Sequence, residues 1–148
     1  MSNGLTHSPA DVTRNLLIAV NLGVLPSVGG DWPIFATLSP DQPDKLIVVY
    51  NTAGTGDGRD MQSGEMLGHY GIQISVRDSD PKTGYRKADA IRATLAKDIR
   101  RATVTIESSQ YSVHCFAHIG DVFDIGEEPN TGRRLFTINA VVSLRQTQ

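Results

Sequence analysis

The chain has one cysteine, Cys115. No disulfide can form within it, so stability has to come from packing, and a lone thiol suits a reducing compartment. It also lacks an apolar run of membrane length. The longest near the N-terminus, Leu16 to Val20, is far shorter than the roughly twenty residues of a helical span, and no basic segment precedes it as in a signal peptide. The expectation is a protein that is soluble and intracellular when made, with no membrane partner. Neither sign of charge dominates, with 14 Lys and Arg against 16 Asp and Glu, which argues against a dedicated nucleic-acid coat. Repeats, heptads and low-complexity tracts are missing. So are a Gly-x-Ser-x-Gly motif and any acid pair whose spacing marks a site.

What is present is a 39% apolar share in 148 residues, an ordinary globular composition. That length suits a single domain over residues 1–148, burying roughly two thirds of its unfolded surface. Its organising stretch runs from Leu67 to Ile99. Tyr70, Ile72, Ile74 and Val76 alternate with Gly71, Gln73, Ser75 and Arg77, the period of a half-buried strand. After the turn-rich Asp78 to Pro81 the period becomes helical. Ala88, Ile91, Leu95 and Ile99 fall at spacings of three and four, while Arg86, Lys87, Asp89, Lys97 and Asp98 occupy the other faces.

On either side, residues 1–7 read as a flexible tail. Ser8, Pro9 and Asp11 supply a cap, a first-turn proline and a first-turn acid, so a helix is expected with Val12, Leu16, Leu17 and Val20 on its apolar face and Gly23 as its stop. Trp32 to Leu38 and Leu46 to Tyr50 read as two strands of a hairpin, the second covered on both faces. Residues 51–65, with four glycines and no apolar period, read as a long exposed loop, which in a compact domain is functional or mobile. Ala102 to Glu107 and Tyr111 to Ile119 form a second hairpin. Residues 120–134 read as a second polar loop, and Leu135 to Leu144 as a closing strand. The fold class is α+β: a mostly antiparallel twisted sheet of about six strands with two helices packed on one face. Apolar positions on both faces of the later strands hint at oligomerisation.

Candidate chemistry is sparse. Gly54, Gly56 and Gly58 follow a strand but lack the Gly-Lys-Ser/Thr or third glycine of a phosphate loop. Asp57 and Asp60 lack the alternating ligands and closing glutamate of a calcium loop. His114 and His118 share a strand face about 13 Å apart, too far for one ion, and a site would need His69 or further chains. Cys115 reads as an inert buried thiol. The reading is therefore no enzyme, no catalytic residue, no cofactor and no metal. The densest basic cluster is Arg86, Lys87, Arg92, Lys97, Arg100 and Arg101, read as a solvated helix face that also touches a partner. A small enzyme or a nucleic-acid-binding domain stays as the alternative of another class.

Trp32-Pro33-Ile34-Phe35, LIVVYNTAG from Leu46, YGIQISVR from Tyr70, YRKADAIRATL from Tyr85 and FTINAVVSL from Phe136 together resemble the minor capsid and tail-terminator proteins of tailed bacteriophages. The likeness covers about Leu16 to Leu144. It implies a sheet packed on two helices and a homo-oligomeric ring, typically a hexamer, at the head-proximal end of a long tail. Such a ring ends tail-tube polymerisation and joins the tail to the head connector, with genomic DNA passing its lumen unread. The implied partners are further copies of the chain, the tail-tube protein and the head-side connector or stopper protein, in the virion's tail or neck after assembly in the host cytoplasm. A head-completion or stopper protein is the alternative in the same class. For this role Asp57, Arg59, Asp60 and Glu65 are the candidate ring-contact loop, and Arg86, Arg92, Arg100 and Arg101 the candidate partner-contact basic face.

Overall fold

The computed structural model describes residues 5–53, 55–59 and 66–147. In chain order its elements are α1 (Pro9–Ala19), β1 (Ile34–Ala36), β2 (Leu46–Asn51), β3 (Thr55–Arg59), β4 (Met66–Asp78), α2 (Pro81–Lys97), β5 (Ala102–Ile106), β6 (Ser109–Ala117), β7 (Phe123–Glu127) and β8 (Arg134–Gln146). Both helices start as their sequences dictate. The Ser8 hydroxyl accepts the Asp11 amide at 3.2 Å and the Asp80 carboxylate accepts that of Lys82 at 3.0 Å, with proline in the first turn of each. The first helix stops earlier than expected, at Ala19, because Asn21 rather than Gly23 takes the left-handed conformation, with φ 64°.

The sheet is built on β4 and β8, antiparallel in register from Gly68↔Leu144 to Asp78↔Arg134. Each is flanked outside by two shorter strands end to end: β2 and β3 along β4, β6 and β7 along β8. The order is β1-β2-β4-β8-β6-β5, with β3 and β7 off that path. Side chains alternate across it. Ile72, Ile74 and Val76 of β4 and Phe136, Ile138, Val142 and Leu144 of β8 are buried together with Leu17, Ile91 and Leu95 of the helices. α2 lies over β4 and β8, whereas α1 touches β1 and β2 near one edge and β5 at the other, so the sheet curls around it. This is the expected α+β architecture with two helices, and its strands number eight among the described residues.

Several local expectations are corrected. β1 and β2 are parallel, Ile34↔Ile47 to Ala36↔Val49, and not a hairpin. A parallel pair requires the connection to run back along the sheet, and residues 37–45 do so. Arg77, on the sheet face opposite Val76, donates to the carbonyls of Pro40, Asp41, Pro43 and Asp44 in that segment, at 2.6 to 3.3 Å. The chain thus covers part of its own second face, and Leu46 and Val48 are buried there.

The expected loop 51–65 contains strand β3, paired with the first half of β4, and the expected loop 120–134 contains β7, paired with the start of β8. Backbone pairing made these segments regular where glycines and charged residues leave little or no strand pattern in the sequence. The tail is tied down at its end: the Thr6 amide donates to Gln146 Oε1 and the His7 amide to the Tyr111 hydroxyl, both at 2.8 Å. Cys115 is exposed, not buried. A bulge between Val113 and Cys115 resets the alternation, so Val113 and Phe116 both turn inward and the thiol turns out.

Candidate functional site

The position of α2 on the sheet creates an open groove of about 480 Å³ at the helix N-terminal end. Pro81, Lys82, Tyr85 and Arg86 line one side, and Asp124 of β7 with Arg134 and Phe136 of β8 the other. The helix comes this close because Gly84 lies against Phe136 and Asp78, where a Cβ would meet Phe136 Cε2 at 2.9 Å. Tyr85, half exposed, sits edge-on to Phe136 with ring centroids 6.1 Å apart. Arg134 Nη2 donates to Asp124 Oδ2 at 3.0 Å, which ties β7 to the groove floor. Lys82 and Arg86 are exposed and form no ion pair with another described residue.

The strand forming the far wall is unusual for a surface. Phe123 is 64% and Ile125 53% exposed, and β7 pairs with β8 alone. Two further exposed apolar residues lie in the chain before and after β1, Val28 at 73% and Leu38 at 64%. These residues, with Tyr85, are the large apolar side chains most open to solvent among those described. Sequence reasoning passed over all of them. Val28 and Leu38 sat in segments read as a connector and a strand end, and Phe123 and Ile125 in one read as a polar loop. The Phe123–Ile125 alternation was the available signal, cut short by Gly126.

Among the described residues no group of three or more His, Cys, Asp or Glu could hold a metal ion. His69 Nδ1 lies 2.6 Å from Ser143 Oγ across the β4–β8 pair. His114 is held below the usual histidine range by burial first, then by the charges of Arg145 and Arg101. No described helix is long and apolar enough to cross a membrane.

The basic residues singled out from the sequence do not converge. Arg86 lines the groove, while Arg92, about 120° around the helix, is bonded to Asp89 at 2.9 Å, the bond that raises its pKa. Arg100 and Arg101 lie in the turn before β5, where the Arg101 amide donates to the His114 carbonyl at 3.0 Å. Of the acidic-loop candidates, Asp57 and Arg59 belong to β3, and Asp60 and Glu65 lie outside the described residues.

The comparison with protein-family models gives a match over most of the chain. Residues 16–146 match a family model described as bacteriophage tail terminator protein. No curated protein matches the chain in sequence. One solved chain aligns at 11% identity with a TM-score of 0.41, covering 79% of this chain and 80% of that one.

Proposed function

From a chain that belongs to the bacteriophage tail terminator proteins, a structural family of the virion tail, we propose that copies assemble into a closed ring, six in number. This ring sits on the head-proximal end of the tail tube, stops its polymerisation and presents the joining surface to the head-side connector, while DNA passes through the lumen without being read. The observation that carries this reading is the family match, which runs through every element from the middle of α1 to the end of β8. A non-enzymatic role follows from the family's structural character. Asp57, Arg59, Asp60 and Glu65 are proposed to meet the ring above or below, and Arg86, Arg92, Arg100 and Arg101 to face a partner.

A ring of identical chains requires each subunit to carry two different surfaces related by a rotation that closes. Among the described residues β3, β5 and β7 each pair with one neighbouring strand alone, which leaves sheet edges for that purpose. The test is the mass of the purified protein in solution, followed by negative-stain imaging with and without cognate tail tubes. Rings in solution or at one end of each tube, with tube growth arrested when the protein is added early, support the proposal. A monomer that ignores tubes and leaves their length unchanged overturns it, and one that binds only the connector replaces terminator by stopper.

A further inference from the structure

We propose that the groove at the N-terminal end of α2 binds an acidic segment of a neighbouring virion protein, with a carboxylate among Lys82, Arg86 and Arg134 and an adjoining apolar side chain on Tyr85 and Phe136. This deepens the reading above, in which Arg86 faces a partner, and rests on it. The acids around the groove are already engaged. Asp124 accepts the Gly126 amide on Oδ1 at 2.9 Å and Arg134 Nη2 on Oδ2 at 3.0 Å, and Asp80 accepts the Lys82 amide at 3.0 Å and the Thr83 hydroxyl at 2.8 Å. Asp78 is 3% exposed, lies against Gly84 and is not part of the lining.

The donors are not matched. Lys82 and Arg86 form no ion pair with another described residue, and of the Arg134 guanidinium only Nη2 is bonded, its Nε being buried without a partner among them. A buried donor without an acceptor is unfavourable, so the missing group is an acceptor, and two unpaired cations at the rim make it an anionic one. The positive end of the α2 dipole acts in the same direction. Shape and floor select the class of anion. An open groove leaves a small molecule largely in water, whereas a chain segment can continue past it on either side. Duplex DNA offers phosphates with no apolar side chain to lay on the edge-to-face Tyr85–Phe136 pair.

The experiment titrates the full chain with three peptides by ligand-observed NMR, which reads monomer and ring alike: acetyl-Asp-Phe-Glu-amide, its uncharged counterpart acetyl-Asn-Phe-Gln-amide, and acetyl-Asp-Ala-Glu-amide without the ring. The first should bind about tenfold more tightly than either of the others, and Lys82→Glu, Arg86→Glu and Tyr85→Ala should each weaken it about tenfold, with Arg86→Lys restoring most of the loss. All three positions are exposed, and circular dichroism with thermal melts checks that each variant folds. No binding, equal binding of the uncharged peptide, or a DNA duplex that displaces the peptide and is indifferent to Tyr85→Ala overturns the site. A peptide that takes wild-type rings apart would make the occupant a further copy of this chain and overturn its assignment to another protein. Rings on tail tubes without peptide binding overturn the groove site and leave the ring reading standing; selective peptide binding by a wild type that forms no ring with or without tubes supports the site and overturns the ring reading alone.

Discussion

Arg77 of β4 and Arg133, just before β8, donate to the same main-chain oxygen, that of Asp41, Arg77 through Nη2 at 3.0 Å and Arg133 through Nη1. Both guanidiniums are buried, 3% exposed. Two cations this close oppose each other, and burial together with Arg133 lowers the Arg77 pKa. Carboxylates offset this: Arg133 meets Asp41 at 3.2 Å, Asp44 at 3.3 Å and Glu128 more closely still. The pair fastens the 37–45 connection to the sheet and to the turn before β8.

Arg77→Ala should therefore cost about 2–4 kcal/mol in urea unfolding, because the segment's carbonyls lose their donor. Arg77→Lys should recover only part of that, since an ammonium cannot span four carbonyls as the planar fork does. A loss below about 0.5 kcal/mol, the size of an ordinary surface change, would show that the connection is held by other contacts.

Glu128 makes part of this arrangement sensitive to pH. The hydrogen bond from Arg133 holds its carboxyl below the usual range, against a smaller opposing effect of burial. A carboxyl with a lower pKa in the folded than in the unfolded chain contributes stability that is present in full above its unfolded value, about 4.3, and is lost as pH falls through the folded one. The stability gap between wild type and Glu128→Gln should thus be constant from neutral pH down to about pH 5 and shrink below pH 4. Denaturant melts at pH 7 and pH 3.5 measure it; a gap that widens in acid would contradict the sign.

Gly84→Ala sets two effects against each other. Alanine favours helix by about 1 kcal/mol, but its Cβ would press on Phe136 at 2.9 Å and on Asp78 Cβ at 3.2 Å, and overpacking costs about 1–3 kcal/mol. A net loss of about 1 kcal/mol is expected from thermal melts. A gain would mean that Phe136 swings into the open groove. Ile91→Asp, which buries an unpaired charge beneath α2, should leave no folded subunit by circular dichroism.

Cys115 should react with a thiol reagent in the folded subunit, without denaturant, at one equivalent per chain. A thiol titrated only after unfolding would place it back inside and would mean that the bulge at Val113 is absent.

The strand-to-helix unit from Tyr70 to Leu95 was legible because each of its signals is local: a period of two, a capped proline turn, then a period of 3.6. The same holds for α1 with its Ser8 cap and for β8. What failed to show was set by partners far along the chain. Nothing in Trp32 to Tyr50 reports that its two strands run parallel, since the direction is fixed by Arg77 and Arg133 gripping the connection from β4 and from the turn before β8. Thr55 to Arg59 is a strand because β4 extends beyond β2 and offers an open edge there, not because of its own side chains. Cys115 was misplaced by strict alternation, which a bulge breaks without altering composition.

The sequence by itself determined the fold class, the two helices and their buried faces, the two long strands and the family, since all of these are written in periodicity and in motifs taken in order. Only the tertiary structure decided the groove beside α2, the buried arginine pair and the exposed apolar side chains of β7 and of the segments before and after β1. Whether an apolar residue is core or contact surface depends on what the rest of the chain lays over it. Phe123 and Phe136 are the same residue type on paired strands, yet α2 covers only Phe136.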